Sequence, residues 1–260
     1  MRVLFIGDVV GSPGRQGLRD AMPGLRERHA PDLVIVNGEN SAGGVGITER
    51  TASELFELGA GVITTGNHVY RHREAYEFID REERLVRPAN YPQANPGRGH
   101  AVVDAAGMRV AVINLSGGVS LQVARSPFDA VDAILNRLDA DAIVVDFHAE
   151  VSSEKVAMGW HLDGRVAAVL GTHTHVPTAD GRVLPGGTAF VSDVGMTGSR
   201  ASVLGVKPEQ ALRALITQMP TRFETATEDI WVMGAVVDVN QRGLADSFEQ
   251  VMLPAPPSSS

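Results

Sequence analysis

The stretch Val166-Ala167-Ala168-Val169-Leu170-Gly171-Thr172-His173-Thr174-His175 is a short apolar run that opens into two imidazoles two residues apart. An apolar run of this length, followed by a glycine and polar residues, reads as a buried strand entering a loop. The pattern recurs. Residues 3–6 lead into Gly7-Asp8, 33–36 into Gly38-Glu39-Asn40, and 62–65 into Gly66-Asn67-His68. Residues 143–145 lead into Asp146-Phe147-His148. Groups able to bind a hard or borderline metal thus recur where strands end, which is where an α/β sheet places its active site. A single His-x-His is more often packing or surface than ligation. Four fragments of one kind are a stronger signal, because separate bland explanations would all have to hold together.

Between these runs the chain alternates helix and strand signals. A glycine-rich turn at 11–14 precedes a helix ending near His29. A second helix is expected over 48–58, with Thr48 as its N-cap. Residues 74–79 read as a short helix, and 127–138 as an amphipathic one with Pro127 in its first turn. Residues 101–103 and 108–115 form an expected hairpin around Ala106-Gly107. A helix over 207–219 and a strand over 230–239 follow. No linker, repeat or charge block divides the chain, so residues 1–253 are expected to form a single α/β domain. The Pro/Ser-rich stretch 254–260 is expected to be a disordered tail.

Composition narrows the chemistry. With 260 residues the chain is long enough for one large domain and an ample core. A net charge of −8 argues against a general DNA- or RNA-coating surface, so no stable DNA binding is expected. It leaves room for a small anionic substrate held by the local field of one cleft. There is no cysteine, so any metal must use nitrogen and oxygen ligands. The apolar run after Arg2 is too short for a signal-peptide core, and no segment has the length of a membrane span. A cytoplasmic protein is expected, and a homo-oligomer stays open.

The candidate ligands are Asp8, Glu39, Asn40, Asn67, His148, His173 and His175. Two carboxylates, two amide oxygens and three imidazoles are too many for one ion that keeps a position open. They suit two ions sharing a bridging carboxylate, with Glu39 as the bridge. Two divalent ions against two carboxylates leave a net positive pocket, which would draw in a phosphate ester although the whole chain is anionic. Asp146 is expected to be a buried hydrogen-bonded carboxylate or an outer partner of the site. The loop 43–46 lacks the Lys-Ser/Thr ending of a phosphate-binding P-loop and reads as a turn beside the metals. Arg71-His72-Arg73 reads as a solvated helix start.

In this order, Gly7-Asp8, Gly38-Glu39-Asn40, Gly66-Asn67-His68, His148 and Gly171-Thr172-His173-Thr174-His175 resemble the motifs of the calcineurin-like metallophosphoesterases. The chain is most similar to their bacterial YmdB-type phosphodiesterases. His148-Ala149-Glu150, Ser153-Glu154-Lys155 and Ser192-Asp193-Val194-Gly195-Met196 extend the match, which runs from Met1 to about Gly243. The resemblance implies a two-sheet α/β/β/α sandwich. It implies one ion held by Asp8, Glu39, Asn40 and His175 and another by Glu39, Asn67, His148 and His173. His68 would contact phosphate and protonate the leaving oxygen. The implied activity is hydrolysis of 2′,3′-cyclic nucleotides, 2′,3′-cyclic AMP above all, to 3′-nucleotides by metal-bound hydroxide attack.

Three departures from the wider superfamily matter. Val10 stands where its Asp-x-His motif has an imidazole, and in Gly38-Glu39-Asn40 the glutamate replaces the aspartate of its Gly-Asp motif, with Asn40 following. Asn40 is read as filling the position lost at Val10. An amide oxygen in place of an imidazole hardens that site and favours manganese or iron over zinc. Val69 stands where many members carry an acid, so no carboxylate adjacent in sequence fixes the His68 tautomer. Two other readings stay open at this point. One is a phosphomonoesterase, including a phosphoprotein phosphatase. The other is a regulatory protein that binds metal and nucleotide without turnover.

Overall fold

Alternate residues of the first strand, β1 (Arg2–Ile6), face opposite ways, yet both sets are buried. That is the signature of a strand covered on both faces. In a computed structural model describing residues 1–256, β1 pairs in parallel with β2 (Leu33–Asn37). β2 in turn pairs with β3 (Val62–Thr64), and β3 with β4 (Leu85–Val86), also in parallel. Three helices connect these strands. α1 is Gly11–His29, α2 is Glu49–Glu57, and α3 is Tyr76–Arg81, preceded by a 3-10 turn at Arg73–Ala75. The expected glycine-rich turn is itself the first turn of α1, with Gly11 at φ 62° marking the reversal. Thr48 caps α2 in a reciprocal box with Thr51, as its sequence position suggested.

The second sheet begins with the hairpin of β5 (His100–Ala105) and β6 (Met108–Ser116). It continues in parallel through β7 (Ala142–His148), β8 (Ala168–Thr172) and, past β9 (Arg182–Val183), β10 (Ala189–Val191). α4 (Pro127–Leu135) and α5 (Ser152–Leu162) make the crossovers. β11 (Gly198–Ser199), α6 (Pro208–Thr217), β12 (Ile230–Val239) and β13 (Ala245–Pro254) return the chain to the first sheet, with β12 antiparallel to β1.

Packing fixes the layers. Phe5, Ile35 and Val62 from the first sheet meet Val112, Val144 and Leu170 from the second in one buried cluster. The opposite face of the first sheet, with Leu4, Ile6 and Val36, packs on Leu18 and Leu25 of α1 and Leu55 of α2. The outer face of the second sheet, with Val145, Phe147 and Val169, packs on Val131 of α4 and Met158 and Leu162 of α5. Truncating a fully buried side chain such as Phe5 to alanine costs about 3–5 kcal/mol in such a core. The result is the α/β/β/α layering that the resemblance implied. Among the described residues no helix is long and apolar enough to cross a membrane.

The expected tail starts too early. Pro254 is the last residue of β13, paired with Trp231, and the Ala255 amide donates to the Ile230 carbonyl at 2.8 Å. Proline is tolerated there because β13 is an edge strand, where an unmade ladder bond faces outward. Residues 257–260 of the expected tail lie outside the described residues.

Candidate metal centre

The parallel strands of each sheet end on one side, and their C-terminal loops deliver all eight predicted site residues to one place. Asp8 follows β1, Glu39 and Asn40 follow β2, and Asn67 and His68 follow β3. His148 ends β7, and His173 and His175 follow β8. Arg15 of α1 donates to the Ser41 carbonyl and pairs with Glu54, which braces the turn bearing Glu39 and Asn40. Gly66 is required by space: a Cβ there would lie 2.2 Å from Glu39 Oε2 and 2.3 Å from His148.

His148 Nε2 is the focus of one half of the site. It lies 3.1 Å from Glu39 Oε1, 3.1 Å from Asn67 Oδ1 and 3.0 Å from His173 Nδ1. Ligand atoms of Glu39, His148 and His173 all lie within 4.8 Å of one another, a spacing suited to one cation. The other half gathers around His175 Nε2, which is 3.1 Å from the Asn40 amide nitrogen and 3.7 Å from Asp8 Oδ1. Glu39 lies between the two halves, 3.3 Å from Asn40 Nδ2 on one side and beside His148 on the other. As placed, the Asn40 amide donates toward His175. A half-turn about its last bond, which exchanges oxygen and nitrogen, presents the oxygen as a ligand instead.

Each imidazole is held by its other nitrogen. The Thr172 hydroxyl donates to Asp146 Oδ1 at 2.7 Å, so it accepts from His148 Nδ1 at 2.9 Å. Asn37 Nδ2 donates to the other Asp146 oxygen at 2.9 Å. His173 Nε2 lies 3.0 Å from Glu150 Oε2, and His175 Nδ1 donates to the Leu204 carbonyl at 3.0 Å. The outward nitrogens are thereby committed, leaving His148 Nε2, His173 Nδ1 and His175 Nε2 turned inward. His173 and His175 sit at φ 96° and 65°, left-handed conformations that let two residues so close in sequence aim at different halves of one cluster.

The electrostatics call for positive charge. Asp8 and Glu39 are fully buried, and Asp8 Oδ1 has no hydrogen-bond partner. Burial raises the Asp8 pKa. Burial also works against the Glu39 charge, but His148 and His68 outweigh it and hold that carboxyl well below its usual range. Burial opposes charge on His148 too, yet Glu39 pushes the imidazole up to about 9. Burial and then the neighbouring His148 push His173 down to about 3. An inward-facing set of acceptors that recruits a proton fits a divalent cation, which supplies the same charge at the same point.

His68 stands apart from the ligand halves. Its Nδ1 lies 3.0 Å from Asn40 Oδ1 and 3.3 Å from Glu39 Oε1, and its backbone amide donates to Glu39 Oε2 at 3.2 Å. The missing carboxylate at Val69 is therefore made good by groups distant in sequence. Its side chain is 37% exposed, so a substrate can reach Nε2. Asp146 proves to act through Thr172, a residue the sequence did not single out. Asn37 and the Leu204 carbonyl were likewise unmarked, since each matters only through a partner far away along the chain, and Glu150, quoted only as part of a motif, proves to face His173. Val10 is buried against Gly198 and Gly205.

Comparison with known proteins places this arrangement. Over 256 residues the chain is 44% identical to the 2′,3′-cyclic-nucleotide 2′-phosphodiesterase of Bacillus subtilis, covering 97% of each chain. A hypothetical protein from Thermus thermophilus superposes with a TM-score of 0.93 at 39% identity, covering 98% of this chain and 100% of the other. A phosphatase from Mycoplasma pneumoniae superposes with a TM-score of 0.92 at 32% identity, covering 98% and 93%. The family model described as YmdB-like protein matches residues 4–251, and the chain belongs to that family.

Proposed function

We propose that this chain is a metal-dependent phosphodiesterase that opens 2′,3′-cyclic nucleotides to 3′-nucleotides. The observation that carries the reading is the convergence of seven donor side chains from two sheets, two of them buried carboxylates and one of these, Asp8, with an unpartnered oxygen, with His68 reachable beside them. The name of the Bacillus subtilis relative supports the substrate class.

Asp8, Glu39, Asn40 and His175 would hold one ion, and Glu39, Asn67, His148 and His173 a second, with iron or manganese suited to the oxygen-rich half. Divalent ions so held supply Lewis acidity toward phosphoryl oxygens and a water nucleophile acidic enough to act near neutral pH. The chain's own residues do the rest. Thr172, Glu150 and Leu204 keep three imidazoles aimed inward. Asn40 and Glu39 occupy His68 Nδ1, which leaves Nε2 to carry a proton to the departing 2′ oxygen. Dry walls around Glu39 and His148 strengthen each of these interactions.

The test is direct. Protein loaded with manganese or iron should convert 2′,3′-cyclic AMP to 3′-AMP without releasing inorganic phosphate, and chelation should stop it. Release of phosphate from 3′-AMP at a comparable rate would favour a phosphomonoesterase instead. Loaded protein that leaves both 2′,3′-cyclic AMP and a generic aryl phosphodiester intact would refute the proposal.

A further inference from the structure

A cleft of about 620 Å³ opens directly beside Asn67, between the segment 91–95 and the loop 120–124. Its size lies within the roughly 300–1,000 Å³ typical of small-molecule sites. Its chemistry sets it apart from the other hollows of the surface. Tyr91, Asn95, Leu121, Gln122 and Val123 line it, and no residue of its wall is charged. The hollow beside α1, by contrast, is lined by Arg15, Arg19, Asp20, Glu54 and Asp229. That beside β5 carries Asp80, Glu83, Arg84 and Arg98.

The two walls are joined before any ligand arrives. Asn90 is fully buried and donates from Nδ2 to the Ser116 carbonyl at 2.7 Å and to that of Arg125 at 3.3 Å. Its own side-chain oxygen accepts from the Ser116 amide at 2.9 Å, and its backbone carbonyl accepts from the Ala124 amide at 3.0 Å. Glu154 of α5 takes the amides of Gly118 and Val119 at 2.7 and 3.3 Å, fixing the start of the same loop. Tyr91 is half-buried and backed by Tyr70, with ring centroids 6.3 Å apart, so its ring is held from behind. Gln122 is exposed.

A neutral slot with one supported aromatic ring and an exposed carboxamide, that of Gln122, does not suit a second phosphate or the charged flanks of a phosphoprotein. It suits a flat, uncharged heterocycle with hydrogen-bonding edges, which stacks on aromatic rings and pairs with carboxamides. We infer that this cleft seats the nucleobase of the substrate, with Tyr91 offering a ring and Gln122 reading the base edge. The inference rests on the phosphodiesterase reading above and deepens it, since Asn67 is both a wall of the cleft and a neighbour of His148 Nε2.

The experiment compares kcat/KM for 2′,3′-cyclic AMP with that for glycerol 1,2-cyclic phosphate, which has the same strained ring and no base. The wild-type enzyme should prefer the nucleotide by about 10-fold or more, the scale of one stacked base. Tyr91→Leu and Gln122→Ala should each shrink that preference several-fold, chiefly through KM, while Tyr91→Phe keeps it. Gln122→Ala changes an exposed loop position, so its folding is not at issue. Equal kcat/KM for the two substrates in the wild type, or variants that lower both in proportion, would overturn the inference. If neither substrate is hydrolysed, the phosphodiesterase reading falls, and calorimetric titration with adenosine decides the cleft separately. Binding weakened in both variants supports it, and identical titrations for wild type and variants overturn it.

Discussion

Lys155 Nζ lies 2.7 Å from Asp193 Oδ2, and both side chains are buried almost completely. The same carboxylate accepts the Thr174 amide at 3.1 Å and its hydroxyl at 2.8 Å, and Asp193 Oδ1 accepts the Gly195 amide at 2.9 Å. Thr174 stands between the two left-handed histidines. The ion pair therefore ties α5 to the loop that aims His173 and His175.

Removing one partner of such a pair strands a buried charge. Lys155→Met should lower stability by about 3–5 kcal/mol, seen as a lower denaturant midpoint. Adding Asp193→Asn to that variant should recover part of the loss, because the stranded charge goes with it. A single Lys155→Met variant as stable as the wild type would show that Asp193 finds its compensation elsewhere.

Thr172→Val keeps the shape of the side chain but removes the hydroxyl between His148 Nδ1 and Asp146. Metal affinity should fall about 10–100-fold, the usual consequence of releasing the outer partner of a ligating imidazole. Titration of the apo protein with manganese, followed by calorimetry, reads this without reference to turnover.

His68→Ala should lower kcat on 2′,3′-cyclic AMP by about 10²–10⁴-fold. An aryl phosphodiester, whose leaving group departs without a proton, should lose far less. Equal losses on the two substrates would move His68 from proton donor to phosphate contact.

The candidate ligands come from both sheets, so bound metal would clamp the sandwich across its two halves. Free ion at 100 times its dissociation constant should add about 2.7 kcal/mol to stability, so chelation should lower the thermal midpoint measurably. Asp8→Asn should blunt that difference.

Asp180, which is not among the candidate metal ligands, gives an acid-limb prediction. Burial opposes its charge, but the Ser192 hydroxyl at 2.6 Å, the Thr178 hydroxyl at 2.7 Å and the Ser192 amide at 3.1 Å outweigh it and hold the pKa below the usual value. A depressed folded-state pKa means the unfolded chain binds the proton more readily. The stabilisation is complete above the ordinary aspartate value of about 3.9 and is lost as pH falls through the lower folded value. The stability gap between wild type and Asp180→Asn should therefore be constant at neutral pH and narrow on acidification. A gap that widens toward low pH contradicts this.

The parts of this molecule legible in its sequence are those with local causes. The apolar runs of β1, β2 and β8, the Thr48 cap and the hairpin at Ala106-Gly107 follow from periodicity and turn chemistry. So do the strand-end positions of the eight site residues. Other features were hidden for physical reasons. α5 carries buried Lys155 and Gly159 on its inner face, where a periodicity reading looks for large apolar residues; Gly159 is there because a Cβ would strike the Phe190 ring at 2.5 Å. β13 buries only Ala245 and Val251 fully and ends in a proline, so it reads as irregular. Thr172 and Asn37 were hidden because they act through partners more than 20 residues away.

The insertion of β12 between β13 and β1 has a consequence for biogenesis. β1 is synthesised before β12, and the neighbour that covers its open edge is translated more than 220 residues later. Until then β1 offers unpaired backbone and apolar side chains to any passing chain. Stalled or truncated products ending before Ile230 should consequently be the aggregation-prone species, bound by chaperones, and the finished hairpin of β12 and β13 is what releases them.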